Sequence, residues 1–345
     1  MVAPGRRPVQ RIFDNFFTHQ FSELEHRNGL REGMRMAKVA VIGAGLIGRA
    51  WAMVFARAGW EVALYDAVAG VAEAGLKSID EGLRALAEHG LADDPAGAAA
   101  RVRAAPDVPT ALDGASFVQE NVPETVEAKR AVFAELDRLA APSAILASST
   151  SAIVASLFTE ELAGRRRCLV AHPVNPPHLV PLVELVGSPW TAPDTIEHAK
   201  AVYLAIGQVP IVVRREIEGF VLNRLQGALL AEAFRLAGDG VVSPQDLDKT
   251  MKDGLGLRWS FMGPFETIEL NAPGGIADYC ARYTGFYRRL QAAPAGPDVY
   301  GESNVARILA AWGEPPGSEQ LAARTRWRDQ RLAALRAHKK AQAEG

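Results

Sequence analysis

Lys38-Val39-Ala40-Val41-Ile42 runs straight into Gly43-Ala44-Gly45-Leu46-Ile47-Gly48, and this stretch decides the fold. The first five residues are an apolar run of strand length. The glycines follow with the spacing GxGxxG. Next comes a helical pattern, Arg49 to Gly59, and then a second strand, Glu61-Val-Ala-Leu-Tyr-Asp66. GxGxxG alone is a weak signal. Strand, glycines, helix, strand and terminal acid in this order are a strong one for a dinucleotide-binding βαβ unit. Gly43 permits the tight turn, Gly45 lets backbone amides approach a pyrophosphate, and Gly48 allows close packing of helix on strand. The pyrophosphate would rest on the helix N-terminus, where unpaired amides and the helix dipole favour anions. Asp66 is placed to bond a ribose 2′-hydroxyl and would repel a 2′-phosphate. No Arg follows it within ten residues, so the expected cofactor is NAD rather than NADP.

The rest of the chain suits an enzyme built around such a unit. Its 345 residues are enough for two domains with real cores. Hydrophobic content of 48% and charged content of 23% are ordinary for a globular protein. A formal net charge of −2 argues against nucleic acid or an anionic membrane as a main partner. No apolar stretch is long enough to span a bilayer. Cys168 and Cys280 suggest a reducing, cytoplasmic setting and no disulfide framework. Neither the cysteines nor the seven histidines have metal-site spacing, so no metal is expected.

Residues 1–35 show no sustained period and lack a secretory apolar core. They read as a leader, disordered or non-native, with Met34 or Met36 as alternative starts. Residues 36–217 alternate strands and helices, as a doubly wound α/β domain does. Helical regions are expected from Val68 to His89 and after Pro123, and an acidic loop at Asp93-Asp94-Pro95. Further strands are expected at Ala115–Gln119, Ile145–Ala147, Cys168–Ala171, Val183–Val186 and Val209–Val213. Glu216 to Gly219 reads as a hinge. Residues 218–345 read as an all-α domain for substrate and dimerisation. It ends in a basic amphipathic helix whose Arg/Lys face is best read as solvated.

Four polar residues interrupt otherwise apolar framework. Ser151 follows AILASST. His172 ends CLVAH. Glu184 lies inside PLVELV, and Asn223 inside GFVLNRLQGALL. A carboxylate inside an apolar strand is costly unless it is partnered. His172, one loop away on a neighbouring strand, is the candidate partner. A His oriented by a carboxylate has the geometry of a general base. The competing reading is a satisfied core histidine and an edge-strand Glu. The cofactor loop upstream favours the base.

These residues and the motifs HPVNPP (172–177), GFVLNR (219–224) and MGPFE (262–266) resemble the 3-hydroxyacyl-CoA dehydrogenase superfamily. The likeness is greatest to the branch containing L-gulonate 3-dehydrogenase and lambda-crystallin. It rests on VAHPVNPPHLVPLVELV, EGFVLNRLQ, VVSPQDLD, DGLGLRWSFMGPFET and Trp327-Arg328-Asp329. It spans nearly everything from Met36 onward. The resemblance implies that His172 takes the 3-hydroxyl proton and that Glu184 orients it. It implies that Ser151 and Asn223 bond the reacting oxygen and that Asn175 shapes the pocket beside the nicotinamide. On the cofactor side it implies pyrophosphate contacts from the Leu46 and Ile47 amides, and nucleotide contacts from Asp66, Glu124 and Lys129. It also implies a homodimer through the C-terminal domain.

The substrate is read from charge. From Ala69 to Ala100 there are two basic residues, Lys77 and Arg84. Against them stand six acids: Glu73, Asp80, Glu81, Glu88, Asp93 and Asp94. That region disfavours a polyanionic carrier such as coenzyme A and favours a small free hydroxy acid. Arg258 is the candidate carboxylate anchor. Its alternative is a structural ion pair with Asp253 or Glu266. The remaining alternatives are a 3-hydroxyacyl-CoA (3-hydroxybutyryl-CoA) or carnitine dehydrogenase and, outside enzymes, a crystallin-like structural protein.

Overall fold

A computed structural model describes residues 37–343. The expectations for residues 1–35 lie outside the described residues. By its internal contacts the chain forms two compact units. One runs up to Val221 and includes Asp329 onward, and the other is Leu222–Arg328.

The first unit is built on an eight-stranded sheet. Its strands are β1 (Lys38–Ile42), β2 (Glu61–Tyr65), β3 (Val102–Ala104), β4 (Ala115–Glu120), β5 (Ile145–Ser148), β6 (Cys168–Pro173), β7 (Leu182–Gly187) and β8 (Val209–Val213). The order is β3-β2-β1-β4-β5-β6-β7-β8. Every pairing is parallel except β6 with β7. The order reverses between β1 and β4, and open α/β sheets bind ligands at the carboxyl ends of their strands at such a point.

The strands are nearly continuous apolar runs because both faces are covered. Val39 and Val41 of β1 join one apolar cluster with Trp51, Phe55, Phe117 and Tyr203. Ala40 and Ile42 join the other, with Val118, Phe133, Leu146 and Val170. On the first face, Tyr203 packs edge-on against Phe117 at 5.6 Å between ring centres, and against Trp51 at 5.4 Å. This packing seats the helix Leu46–Arg57 that follows the glycine loop.

The second unit is helical. Its main helices are Leu222–Gly238, Gly275–Leu290 and Glu302–Trp312. Asn304 is buried and donates to the carbonyls of Phe234 and Val299, which ties these segments together.

The C-terminal helix Ser318–Ala343 differs from the expected division at 218. From Asp329 it packs on the sheet unit. Ala333 is buried in the first apolar cluster with Leu332 against it. Arg336 donates to the carbonyls of His178 and Gly207 at 2.8 and 3.1 Å. Strand β3 was not among the sequence expectations. Three residues are too few for a period to register. The expected acidic loop holds Asp94, which caps the helix Pro95–Ala100 by accepting from the Gly97 amide.

Candidate active site

The glycine loop leaves β1 at the carboxyl edge of the sheet. Gly43 has φ +94°, and a Cβ there would lie 2.7 Å from the Asn121 carbonyl oxygen. A Cβ on Gly48 would lie 1.8 Å from the Gly43 oxygen. Neither position accepts a side chain. Gly45 faces open space. It stands at the N-cap of the helix Leu46–Arg57, whose first turn carries no acid and whose cap has no side-chain bond. Those terminal amides are placed for an anion. Asp66, just past β2, accepts from the Ala44 amide through Oδ2 at 2.7 Å and from the Val68 amide through Oδ1 at 2.9 Å. The acid is thus fixed beside the glycine loop. A cradle that excludes Cβ atoms, uncapped helix amides and a fixed acid fit a dinucleotide.

β6 and β7 pair antiparallel with His172 opposite Glu184. The imidazole Nδ1 and Glu184 Oε2 are 2.7 Å apart. The His172 residue is 5% exposed and Glu184 0%, so water does not compete for this bond. Glu184 Oε1 accepts from the Val221 amide at 2.9 Å. Phe220 packs against the imidazole at 5.5 Å between ring centres. An ionised carboxylate only accepts, so Nδ1–H is the donor in this contact, and a neutral ring so oriented has its lone pair on Nε2. These contacts fix the orientation of the imidazole ring.

Ser151 is exposed on the turn after β5, and β5 lies beside β6. Ser148 is in register with Val170, the last pair between β5 and β6, so Ser151 and His172 both lie beyond that pair toward the carboxyl ends of these two strands. Asn175 is exposed on the loop after β6. The His178 carbonyl of that loop accepts from Arg57 and Arg336 at 3.0 and 2.8 Å. Asn223 and Arg258 belong to the helical unit. Neither suggested acid pairs with Arg258. Asp253 lies 3.4 Å from Lys252, and Glu266 accepts from the Gly263 amide.

Residues 38–217 match the 3-hydroxyacyl-CoA dehydrogenase NAD binding domain, and residues 219–320 match the 3-hydroxyacyl-CoA dehydrogenase C-terminal domain. The chain belongs to the 3-hydroxyacyl-CoA dehydrogenase family. It is an NAD-dependent oxidoreductase. It is 46% identical to a lambda-crystallin homolog of Bos taurus over 307 residues, covering 86% of this chain and 95% of that protein. It is 34% identical to an L-carnitine dehydrogenase of Pseudomonas putida over 297 residues, covering 86% and 92%. Among solved structures, the FHMPC 5-dehydrogenase, an NAD+-dependent dismutase, superposes with a TM-score of 0.76 at 30% identity, covering 87% of this chain and 97% of that one.

Within this family member, two residues expected at the nucleotide are otherwise engaged. Lys129 is 1% exposed. Its ammonium lies 3.0 and 3.1 Å from the two carboxylate oxygens of Glu120 and 3.4 Å from the Val122 carbonyl. An ammonium buried in this pair is not presented to a nucleotide. Glu124 Oε1 accepts from Thr150 Oγ1 and from the amides of Ser151 and Ala152. Glu120 itself escaped the sequence reading. Burial pushes its carboxyl up, while Lys129, the Ser148 hydroxyl and the Val122 amide pull it back down. The available signal was an acid at the end of an otherwise apolar strand, the same signal that singled out Glu184.

Proposed function

We propose that this protein oxidises a free L-3-hydroxy acid to the 3-keto acid, as an L-gulonate 3-dehydrogenase does, with His172 as general base. The observation that carries this reading is the buried 2.7 Å contact between His172 Nδ1 and Glu184. With Nδ1–H on the carboxylate, Nε2 accepts the 3-hydroxyl proton as the C3–H bond breaks and the carbonyl forms. Bound NAD supplies the hydride acceptor. Glu184 stabilises the imidazolium that results. Ser151 bonds the reacting oxygen, and Asn175 lies beside the nicotinamide.

The choice of a free acid rests on charge. The only two cations of the region 69–100 are already paired one helical turn away, Lys77 with Glu81 and Arg84 with Asp80. Phosphates of a carrier would meet a surface of net negative charge. Arg258 is exposed and has neither suggested acid as partner, which suits a carboxylate anchor. Arg258→Met should weaken hydroxy-acid binding by about tenfold to a hundredfold, the loss of a charge-assisted contact of roughly 1.5–3 kcal/mol. NAD affinity should stay unchanged. Steady-state kinetics on L-gulonate, L-3-hydroxybutyrate, L-carnitine and 3-hydroxybutyryl-CoA test the assignment. Turnover of the thioester far above every free acid would establish the coenzyme A alternative instead.

The helical unit exposes many large apolar side chains, among them Leu225 at 65%, Phe261 at 69%, Phe265 at 71% and Leu270 at 73%. The helices Leu222–Gly238 and Gly275–Leu290 bury no residue fully. Apolar surface of this extent calls for a cover, and a second copy of the chain is the proposed one. Light scattering on the purified protein should give twice the 37.0 kDa chain mass. A monomer at micromolar concentration contradicts it.

A further inference from the structure

The end of β4 and the turn after it are stitched to the end of β5 and its following turn by three residues, Glu120, Asn121 and Glu124. Glu120 Oε2 accepts from Ser148 Oγ at 2.5 Å. Asn121 Oδ1 accepts from Ser149 Oγ at 2.7 Å. Glu124 Oε1 accepts from Thr150 Oγ1 at 2.5 Å, from the Ser151 amide at 2.8 Å and from the Ala152 amide at 3.2 Å. Thr150 Oγ1 in turn accepts from the Ile153 amide at 3.0 Å, so the anchoring extends one residue further. Every residue from 148 to 152 is therefore tied to the β4 turn.

The last of these stitches bears on chemistry. Two consecutive amides and a hydroxyl converge on one carboxylate oxygen, and one of those amides belongs to Ser151. Bonds to an ionised acceptor are shorter and stronger than neutral ones. They fix backbone rather than a rotatable side chain. Oε1 is fully engaged by these three protein donors. We infer that Glu124 is a positioning residue for Ser151, holding the backbone that presents the serine at the carboxyl edge of the sheet. This inference rests on the reading that Ser151 meets the reacting oxygen.

Glu124→Ala leaves those three donors without their acceptor and frees the turn. A displacement of about 1 Å at a reacting group lowers turnover by roughly a hundredfold, so kcat should fall by about tenfold to a hundredfold. KM for NAD should stay within about twofold. Glu124→Gln keeps an amide oxygen for the same donors and should restore most of kcat. Glu124→Asp keeps the charge but withdraws the acceptor by one methylene, and should lose kcat as alanine does. The Asp variant also serves if the alanine variant fails to fold. The double variant Glu124→Ala/Ser151→Ala should be no slower than Ser151→Ala alone, because both remove one function.

Hydrogen exchange of the Ser151 and Ala152 amides should speed up in Glu124→Ala, whatever the turnover. Unchanged exchange overturns the anchoring by itself. A tenfold rise in KM for NAD with kcat preserved makes Glu124 a nucleotide contact and overturns it too, as do fully additive losses in the double variant. Wild-type kcat in Ser151→Ala, with exchange still accelerated in Glu124→Ala, removes the role of Ser151 and leaves the loop anchor as structure only.

Discussion

Replacing His172 with alanine is expected to lower turnover by about a hundredfold to ten-thousandfold, the usual contribution of a positioned general base. NAD binding should survive, because the glycine loop and Asp66 are held by bonds of their own and not by His172. Glu184→Gln keeps the shape of the partner and removes its charge. The imidazolium formed during oxidation then has no counter-charge in a buried setting, so turnover should fall and its pH profile should move. The same carboxylate accepts from the Val221 amide, and a glutamine oxygen can keep that bond. The glutamine NH2 then faces Nδ1 and can only donate, so the imidazole loses both its counter-charge and the tautomer that leaves Nε2 as acceptor, while the turn stays bonded. The two losses should combine to less than their sum, since each disables one unit. Fully additive losses in a double-mutant cycle on kcat would falsify the pairing.

Lys129→Met is expected to have the largest effect on stability. Lys129 and Glu120 form an ion pair with side-chain exposures of 1% and 0%. Removing one partner of such a pair leaves an uncompensated buried charge, at a cost of about 3–5 kcal/mol. For a unit of this size that corresponds to a fall in Tm of roughly 6–20 °C. The sign with pH follows from Glu120. Burial raises its carboxyl above the ordinary 4.5, and loss of the ammonium removes the strongest opposing influence. A carboxyl raised in the folded state gains protons there first, so the deficit should shrink as pH falls toward 4.5 and be greatest at neutral pH. Thermal melts from pH 5 to 8 test this. If Lys129 instead served the nucleotide, the variant would lose NAD affinity and melt like the parent protein.

The Lys129–Glu120 pairing was hidden in the sequence and the His172–Glu184 pairing was legible in it, for related causes. A lysine one turn into a helix reads as solvated because lysines are almost never fully buried unless paired. Its partner Glu120 ends a strand nine residues earlier, and nothing in that spacing announces the contact. His172 and Glu184 are twelve residues apart, but each stood out alone as a polar residue inside an apolar strand. Their pairing then required only that the two strands be neighbours. Glu124 and Ser151 are 27 residues apart on two turns. No local pattern marks either turn, so their bond is visible only once β4 and β5 lie side by side.

What the sequence by itself determined is whatever is written in short range. The glycine loop, its flanking strands and Asp66 form one contiguous βαβ unit whose steric demands allow only particular residues at particular spacings. The strands are legible because burial on both faces leaves continuous apolar runs. The tertiary structure alone decided which polar groups are spent on each other. It pairs Lys129 with Glu120, turns Glu124 onto the Ser151 backbone, and returns the C-terminal helix to the sheet unit through Ala333 and Arg336. The physical reason is that a charge or donor takes its partner from whatever the packed chain brings within about 3 Å. That choice depends on strand order and helix docking rather than on neighbours in sequence.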